Sequence, residues 1–188
     1  MNINEKISKG QEFNIQDDDI FFWDMIKAEE ICHEYNNIPA SEIERRKEYL
    51  KKFFGKVNGD FLIFSPLKCG VGYNIEIGNY VVMNSNCSLL DGAKIKFGNN
   101  IWVGPNCGFY TSGHSIDPQK RLEGYGYAHP IIVEDNVWIG ANVLIVCSEN
   151  RGITIGENSV LAAGSVITKD VPANVLVGGN PSRVIKRI

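Results

Sequence analysis

Two hydrophobic periods divide the chain. Between Phe21 and Tyr35, apolar residues return at helical spacing (Phe22, Met25, Ile26, Ile31 and Tyr35), which predicts a helix with that stripe turned inward. Pro39-Ala40-Ser41 interrupts it. Ser41 followed by Glu44 has the spacing of a capping box, opening a second helix over Glu42 to Phe54 with Ile43, Tyr49, Leu50 and Phe53 on its apolar side. Gly55 stops this helix. Two short helices bury little by themselves, so residues 1–56 are expected to form a small helical domain docked on the remainder.

From Ile75 onward the period becomes six. Ile77-Gly78-Asn79-Tyr80-Val81-Val82 is followed by Met83-Asn84-Ser85-Asn86-Cys87-Ser88. Phe97-Gly98-Asn99-Asn100-Ile101-Trp102 leads into Val103-Gly104-Pro105-Asn106-Cys107-Gly108. The pattern resumes at Val133-Glu134-Asp135-Asn136-Val137-Trp138 and Ile139-Gly140-Ala141-Asn142-Val143-Leu144. It resumes again through Ile155-Gly156, Leu161-Ala162 and Ile167-Thr168. An aliphatic residue every six positions, with a small or branched one four later, predicts one flat face per hexapeptide. Three such faces make a triangular coil, and stacked coils bury a continuous column, as in a solenoid. Glycine at the second position is read as the residue that permits the tight corner. Cys87 and Cys107 fall on the small inward position and are expected to be core filler. The prediction is a mainly β, parallel β-helical domain over 57–188.

Composition narrows the partners. The formal net charge of −3 gives no electrostatic case for nucleic acid or an anionic membrane. No apolar run approaches the ~18 residues of a membrane span, and Met1 to Gly10 lacks the apolar core of a signal peptide. The five cysteines show no CxxC spacing, which suits a reduced, cytoplasmic protein. The three histidines, His33, His114 and His129, are too scattered to suggest a metal cluster, so no metal is expected.

These repeats resemble those of the hexapeptide-repeat acyltransferases, and the helical N-terminus around Tyr35-Asn36 is similar to the small domain that precedes the coil in maltose and galactoside O-acetyltransferases. The likeness extends through Leu90-Asp91, Gly113-His114, Pro130-Ile131, Asn136-Val137-Trp138-Ile139-Gly140, Gly164 to Pro172 and Gly179-Asn180-Pro181-Ser182-Arg183. It implies a left-handed parallel β-helix; spacing alone gives no hand, and the ordinary crossover rule favours the opposite one. It also implies a homotrimer, with acetyl-CoA in the cleft between neighbouring coils and a small hydroxyl-bearing acceptor entering from the other end.

Breaks in a solenoid are where function is inserted. The longest break here is the loop 112–129, with Gly113-His114 at its start. Moving acetyl from a thioester to an alcohol needs a base that works near neutral pH, and imidazole has that property. On residues alone His114 is structural or catalytic; the resemblance makes it the general base. Asn84 reads either as a solvated corner or, by resemblance, as an acceptor contact. Asp91 is either an Asp-Gly turn residue or an acceptor contact. Asp17, in the acidic run Asp17-Asp18-Asp19, is either a helix start or a sugar ligand. The resemblance puts Ala141, Ala163, Thr168, Lys169, Arg183 and Lys186 on coenzyme-binding positions. The cations are natural phosphate partners, and the alanines can offer only backbone groups. The Ala141 N–H, near Trp138, is a candidate donor to the thioester oxyanion.

Three departures bear on specificity. Met25 stands where the sugar enzymes usually have Arg, and Gly126 stands where many relatives have Glu. A longer corner, 147–152, replaces a short Pro-Gly turn. The expected activity is O-acetylation of a sugar or glycoside hydroxyl. The alternatives are an acyltransferase for another small polar acceptor (an amino sugar or serine-like molecule) and a non-catalytic scaffold. A zinc carbonic anhydrase on the same coil would need three converging His ligands.

Overall fold

The computed structural model describes residues 2–188. Three parallel sheets of five, five and seven strands form the sides of a triangular prism. Each coil contributes one short strand per side. The strands carry a buried–outward–buried pattern, as in Ile75–Ile77, Val81–Met83 and Ile101–Val103. Flanking residues point in and the middle one points out, because side chains alternate across a strand. The interior is a column of Ile, Val, Leu and Phe, with Phe97 and Phe109 meeting edge-on at 5.1 Å. Cys87 and Cys107 lie inside it.

The coil begins earlier than the six-residue period. Lys56–Val57, Phe61–Ile63 and Leu67–Cys69 form a first coil, in register beneath 75–90. Its aliphatics are spread too irregularly for the hexapeptide pattern to show. Coils over 75–90, 95–110, 131–146 and 153–167 follow, and the strand Val175–Gly178 closes the stack with Arg183–Arg187 folded back antiparallel on it.

Corners work differently from the expectation. Left-handed backbone at the corners falls mostly on asparagines: Asn86, Asn100, Asn106, Asn136, Asn142, Asn158 and Asn174 all have φ near +60°, with Tyr80 in the same conformation at one corner. Asparagine tolerates this region better than other non-glycine residues. The side chains also link neighbouring coils, Asn100 to Asn136 at 3.0 Å, Asn136 to Asn158 at 3.1 Å and Asn158 to Asn174 at 2.9 Å. The second-position glycines are instead close-approach residues. A Cβ on Gly104 would stand 2.6 Å from the Ala141 nitrogen, and one on Gly140 2.7 Å from that of Ala163.

Four helices lie outside the coil: α1 (Ile3–Ser8), α2 (Asp19–Asn37), α3 (Ile43–Phe53) and α4 (Pro118–Leu122). The buried stripe of α2 is Phe21, Ala28, Cys32 and Tyr35; Phe22 and Ile26 face outward. Ala28 and Cys32 are small enough to sit close to the coil, which turns the helix one position from the largest apolar residues. The capping box does not form. The N-cap of α3 is Glu42, without a side-chain cap bond, and its buried positions are Arg46 and Leu50, leaving Ile43 exposed. Asn36 docks α2 on the first coil, donating to the Leu67 carbonyl at 2.9 Å and accepting from its N–H at 2.8 Å. The Arg46 guanidinium lies 4.3 Å over the Tyr35 ring and donates to the Ile38 carbonyl. Tyr35, Ile38, Leu50 and Phe54 belong to the same apolar core as the coil. The helices thus seal the end of the prism.

Candidate active site

The break between the 95–110 and 131–146 coils is ordered structure. Ser112–His114 and Tyr125–Ala128 form an antiparallel hairpin around α4, and Phe13–Asn14 adds a third strand from the N-terminal region. Asp117 caps α4 by accepting from the Gln119 and Lys120 N–H groups. Asn14 donates to the Glu123 carbonyl at 2.6 Å. Strand pairing and this hydrogen bond therefore join the N-terminal region to the long loop.

His114 ends the first hairpin strand, opposite Gly126. Its ring opens on a cavity of about 320 Å³, walled by Phe13, Ile15, Phe21, Met25, Val71 and Leu90. Among the described residues, His114 is the one titratable side chain in this lining, and Ser112 the one other with a polar group. Glycines keep the hairpin close-fitted. A Cβ on Gly126 would meet the Gly113 carbonyl at 2.8 Å, and one on Gly113 the Tyr127 hydroxyl at 2.4 Å. Met25 and Gly126, two of the departures noted above, both border this cavity.

The lengthened corner braces the hairpin from behind. Ser115, next to His114, donates to a Glu149 carboxylate oxygen at 3.1 Å, and the His129 Nε2 lies 2.9 Å from the Glu149 carbonyl. Tyr127 stacks on His129 with ring centroids 6.0 Å apart and donates to the Cys147 carbonyl. Burial pushes the Cys147 thiol up to about 12. The Arg121 guanidinium donates to the Ser115 carbonyl at 2.9 Å. Ser115 and Glu149 were not legible as a pair in the sequence, because 34 positions separate them.

None of the three acceptor-side candidates lines the His114 cavity. Asp91 corrects the expectation most plainly. Its side chain is fully buried, and its carboxylate accepts from the backbone N–H groups of Gly70, Val71 and Asn74. It stitches a corner. Burial raises its carboxyl above the ordinary range, against the pull of those N–H donors. Asp17 is exposed in a single 3-10 turn and pairs with Lys6 at 3.0 Å, while its neighbour Asp18 caps α2. Asn84 sits at an exposed corner, its amide oxygen accepting from the Ser85 N–H at 2.8 Å.

The coenzyme-side candidates lie toward the far end of the stack. Ala141 and Ala163 occupy equivalent corners of consecutive coils, joined by the Gly164 N–H donating to the Ala141 carbonyl at 2.9 Å. Among the described residues, neither alanine's N–H donates within the chain. Trp138 points outward, in register with Trp102. Thr168, Lys169, Arg183 and Lys186 are exposed, and among the described residues none of the three cations is in an ion pair. Free N–H donors and unpaired cations are the donor set that coenzyme phosphates and amides require.

Comparison with known proteins decides the family. Residues 6–59 match the maltose acetyltransferase hexapeptide capping motif, and residues 130–169 the hexapeptide repeat of succinyl-transferase. The galactoside O-acetyltransferase of Escherichia coli K12 is 36% identical over 163 residues, covering 87% of this chain and 78% of the relative. The chain belongs to the hexapeptide-repeat acetyltransferases of the maltose and galactoside O-acetyltransferase type. A galactoside acetyltransferase in complex with coenzyme A superposes with a TM-score of 0.92 at 34% identity, covering all of this chain and 92% of that one. A maltose O-acetyltransferase from Clostridium difficile 630 gives 0.92 at 38%, covering 100% and 98%. The coil of this acetyltransferase is accordingly the left-handed parallel β-helix of its family, and coenzyme A is its acyl carrier. Among its described residues no group of three His, Cys, Asp or Glu side chains converges, and no helix is long and apolar enough to cross a membrane.

Proposed function

We propose that this acetyltransferase transfers acetyl from acetyl-CoA to a hydroxyl of a small acceptor of the sugar or glycoside kind, directly, with His114 as general base, and that it acts as a homotrimer. The observation that carries the reading is the isolation of His114 as the one titratable side chain bordering an apolar cavity. Acetyl-CoA supplies an acetyl group activated as a thioester. The acceptor hydroxyl attacks poorly until its proton leaves, and the His114 imidazole takes that proton as the carbon–oxygen bond forms. The coenzyme thiol departs as the carbon–sulfur bond breaks. The Ala141 N–H offers a fixed donor for the charge that develops on the acyl oxygen. Lys169, Arg183 and Lys186 hold phosphates, with Thr168, Trp138 and the Ala163 N–H along the remainder of the coenzyme. Asn84 and Asp17 remain candidates for the acceptor end contributed across a subunit boundary.

A covalent acyl-cysteine is disfavoured by burial: Cys32, Cys87, Cys107 and Cys147 are all inside, and desolvation pushes the Cys69 thiol well up. The trimer is supported by one side of the prism. Leu62, Val82, Trp102, Trp138, Val160 and Leu176 point outward in a single register column, with Trp102 60% and Trp138 58% exposed. So large an apolar stripe marks an interface.

His114→Ala is expected to lower kcat by ~10²–10⁴-fold while the KM for acetyl-CoA stays within about twofold, as for loss of a group acting in the transition state alone. Thiol release from acetyl-CoA measures both. Near-normal turnover in the variant, or acetylated protein trapped in the absence of acceptor, overturns the proposal.

A further inference from the structure

The chemistry of the cavity beside His114 limits what can sit in it. Its walls are the side chains of Phe13, Ile15, Phe21, Met25, Val71 and Leu90. Its floor is largely glycine backbone: Gly70, Gly92, Gly113, Gly124 and Gly126 offer peptide groups and no side chain there. The acidic groups nearby in sequence are engaged elsewhere. Asp91 is buried on three backbone N–H groups, Asp17 is paired with Lys6, Asp18 caps α2, and Asp24 accepts from the Tyr73 hydroxyl. That leaves the His114 ring and the Ser112 hydroxyl as the polar side-chain groups this chain contributes to the lining. A polyhydroxylated ring seated here would desolvate several hydroxyls against two side chains and a glycine backbone partly paired within the hairpin. Each one left unsatisfied weakens binding by roughly 5- to 150-fold. A cavity of about 320 Å³ is at the small end of ligand sites, which run from about 300 Å³.

We infer that the acceptor presents an alkyl or aryl group to the cavity beside its reacting hydroxyl, either as a free alcohol with an apolar skeleton or as a glycoside whose apolar aglycone fills it. This rests on the acetyl-transfer reading above and specifies its acceptor. Phe21 and Met25 of α2, with Phe13 and Ile15 ahead of it, set the preference, so the N-terminal helical segment is a specificity element as well as a cap.

The test is a thiol-release assay with acetyl-CoA on the full chain. One arm uses straight-chain alcohols from propanol to hexanol with benzyl alcohol; a second uses methyl, butyl and hexyl glucosides; a third uses free glucose, galactose and maltose. Within one of the first two arms kcat/KM should climb by about fourfold per added methylene until the cavity is full, and which arm climbs identifies the source. Met25→Glu should flatten that slope. Calorimetric titration of hexanol and hexyl glucoside into the protein with coenzyme A reads the cavity without turnover, and negative heat-capacity changes are expected. Free sugars matching or exceeding the apolar acceptors would overturn the inference and leave the acetyl transfer standing. Apolar ligands that bind while no acceptor in any arm releases thiol would overturn the acetyl transfer and leave the apolar cavity standing. A flat chain-length series with no binding would overturn the inference outright.

Discussion

Asp91 and Arg183 illustrate two fates of a charge. Asp91 has no exposed surface, and three backbone N–H groups depend on it. Asp91→Ala would orphan them, and the expected cost is about 2–4 kcal/mol, read as a fall in the urea midpoint. Asp91→Asn keeps an acceptor oxygen and sheds a charge that burial already penalises, so its loss should be smaller. Arg183 is exposed and free of ion pairs. Arg183→Ala should leave stability unchanged and raise the KM for acetyl-CoA by roughly 10- to 100-fold, the worth of one charge-assisted phosphate contact. An unchanged KM removes Arg183 from the coenzyme site. The sequence could name these residues but could not sort them. An Asp-Gly pair at a corner reads alike whether its carboxylate points to backbone or to solvent, because that depends on the coil below. The position of His114 at the start of the one long break was legible, and the structure puts it on a cavity lining, but its role came from the resemblance and not from the residues. Ser115 and Glu149 were not, since nothing local in either signals the other.

Among elements, the coils were the most readable, because a period of six repeated through the chain leaves few ways to bury one aliphatic column. Their chemistry was less so. Glycine at the second position was assigned to the bend, yet the bend belongs to asparagine and the glycine to the spacing between layers. The distinction has a measurable consequence. Gly104 has an ordinary negative φ, so backbone conformation alone would tolerate alanine. The added methyl would nevertheless stand 2.6 Å from a backbone nitrogen of the next coil. Gly104→Ala should therefore destabilise by about 1–3 kcal/mol, as overpacking does, with a lower Tm. A neutral result would show that the layers part enough to admit a methyl, and would remove the spacing role. Helices α2 and α3 were predicted where they occur but rotated, whereas α4 lies in a segment read as loop and Phe13–Asn14 is a strand inside the segment expected to be helical. Spacing weighs large apolar residues most heavily, whereas α2 turns Ala28 and Cys32 inward to approach the coil. The first coil falls inside the predicted 57–188 domain, but its hexapeptides were not read because its strands carry only part of the pattern.

At the scale of the whole molecule, the prism has unequal sides. One carries Lys56, Glu76 and Lys96 outward, while another carries Val82, Trp102, Trp138 and Val160. Trp102→Glu places a charge in the centre of the apolar stripe, and burying it unpaired is costly. If the proposed trimer uses this stripe, sedimentation at micromolar concentration should then show it giving way to monomer, with activity falling alongside. A variant that remains trimeric would move the interface to another side.

The stacking of the coils also makes the molecule a caliper. One jaw is the imidazole of His114, which follows the strand Gly108–Tyr110 of the third coil; the other is the cationic end, where Arg183 pairs with Gly178 on the last strand of the stack. Layers of a sheet repeat at about 4.8 Å, so four strand spacings, counting the returning strand Arg183–Arg187, separate the two ends by roughly 19 Å along the axis. The insertions at 111–129 and 147–152 both leave at corners and swell the girth, while the pairings on either side, Ile95 with Ile131 and Leu144 with Val166, run on without a slip. Gauge and grip are therefore separately adjustable. Under the proposed roles of His114 and Arg183, loops and helices around the waist can be rebuilt for a new acceptor while the number of layers sets the reach from phosphate to reacting carbon.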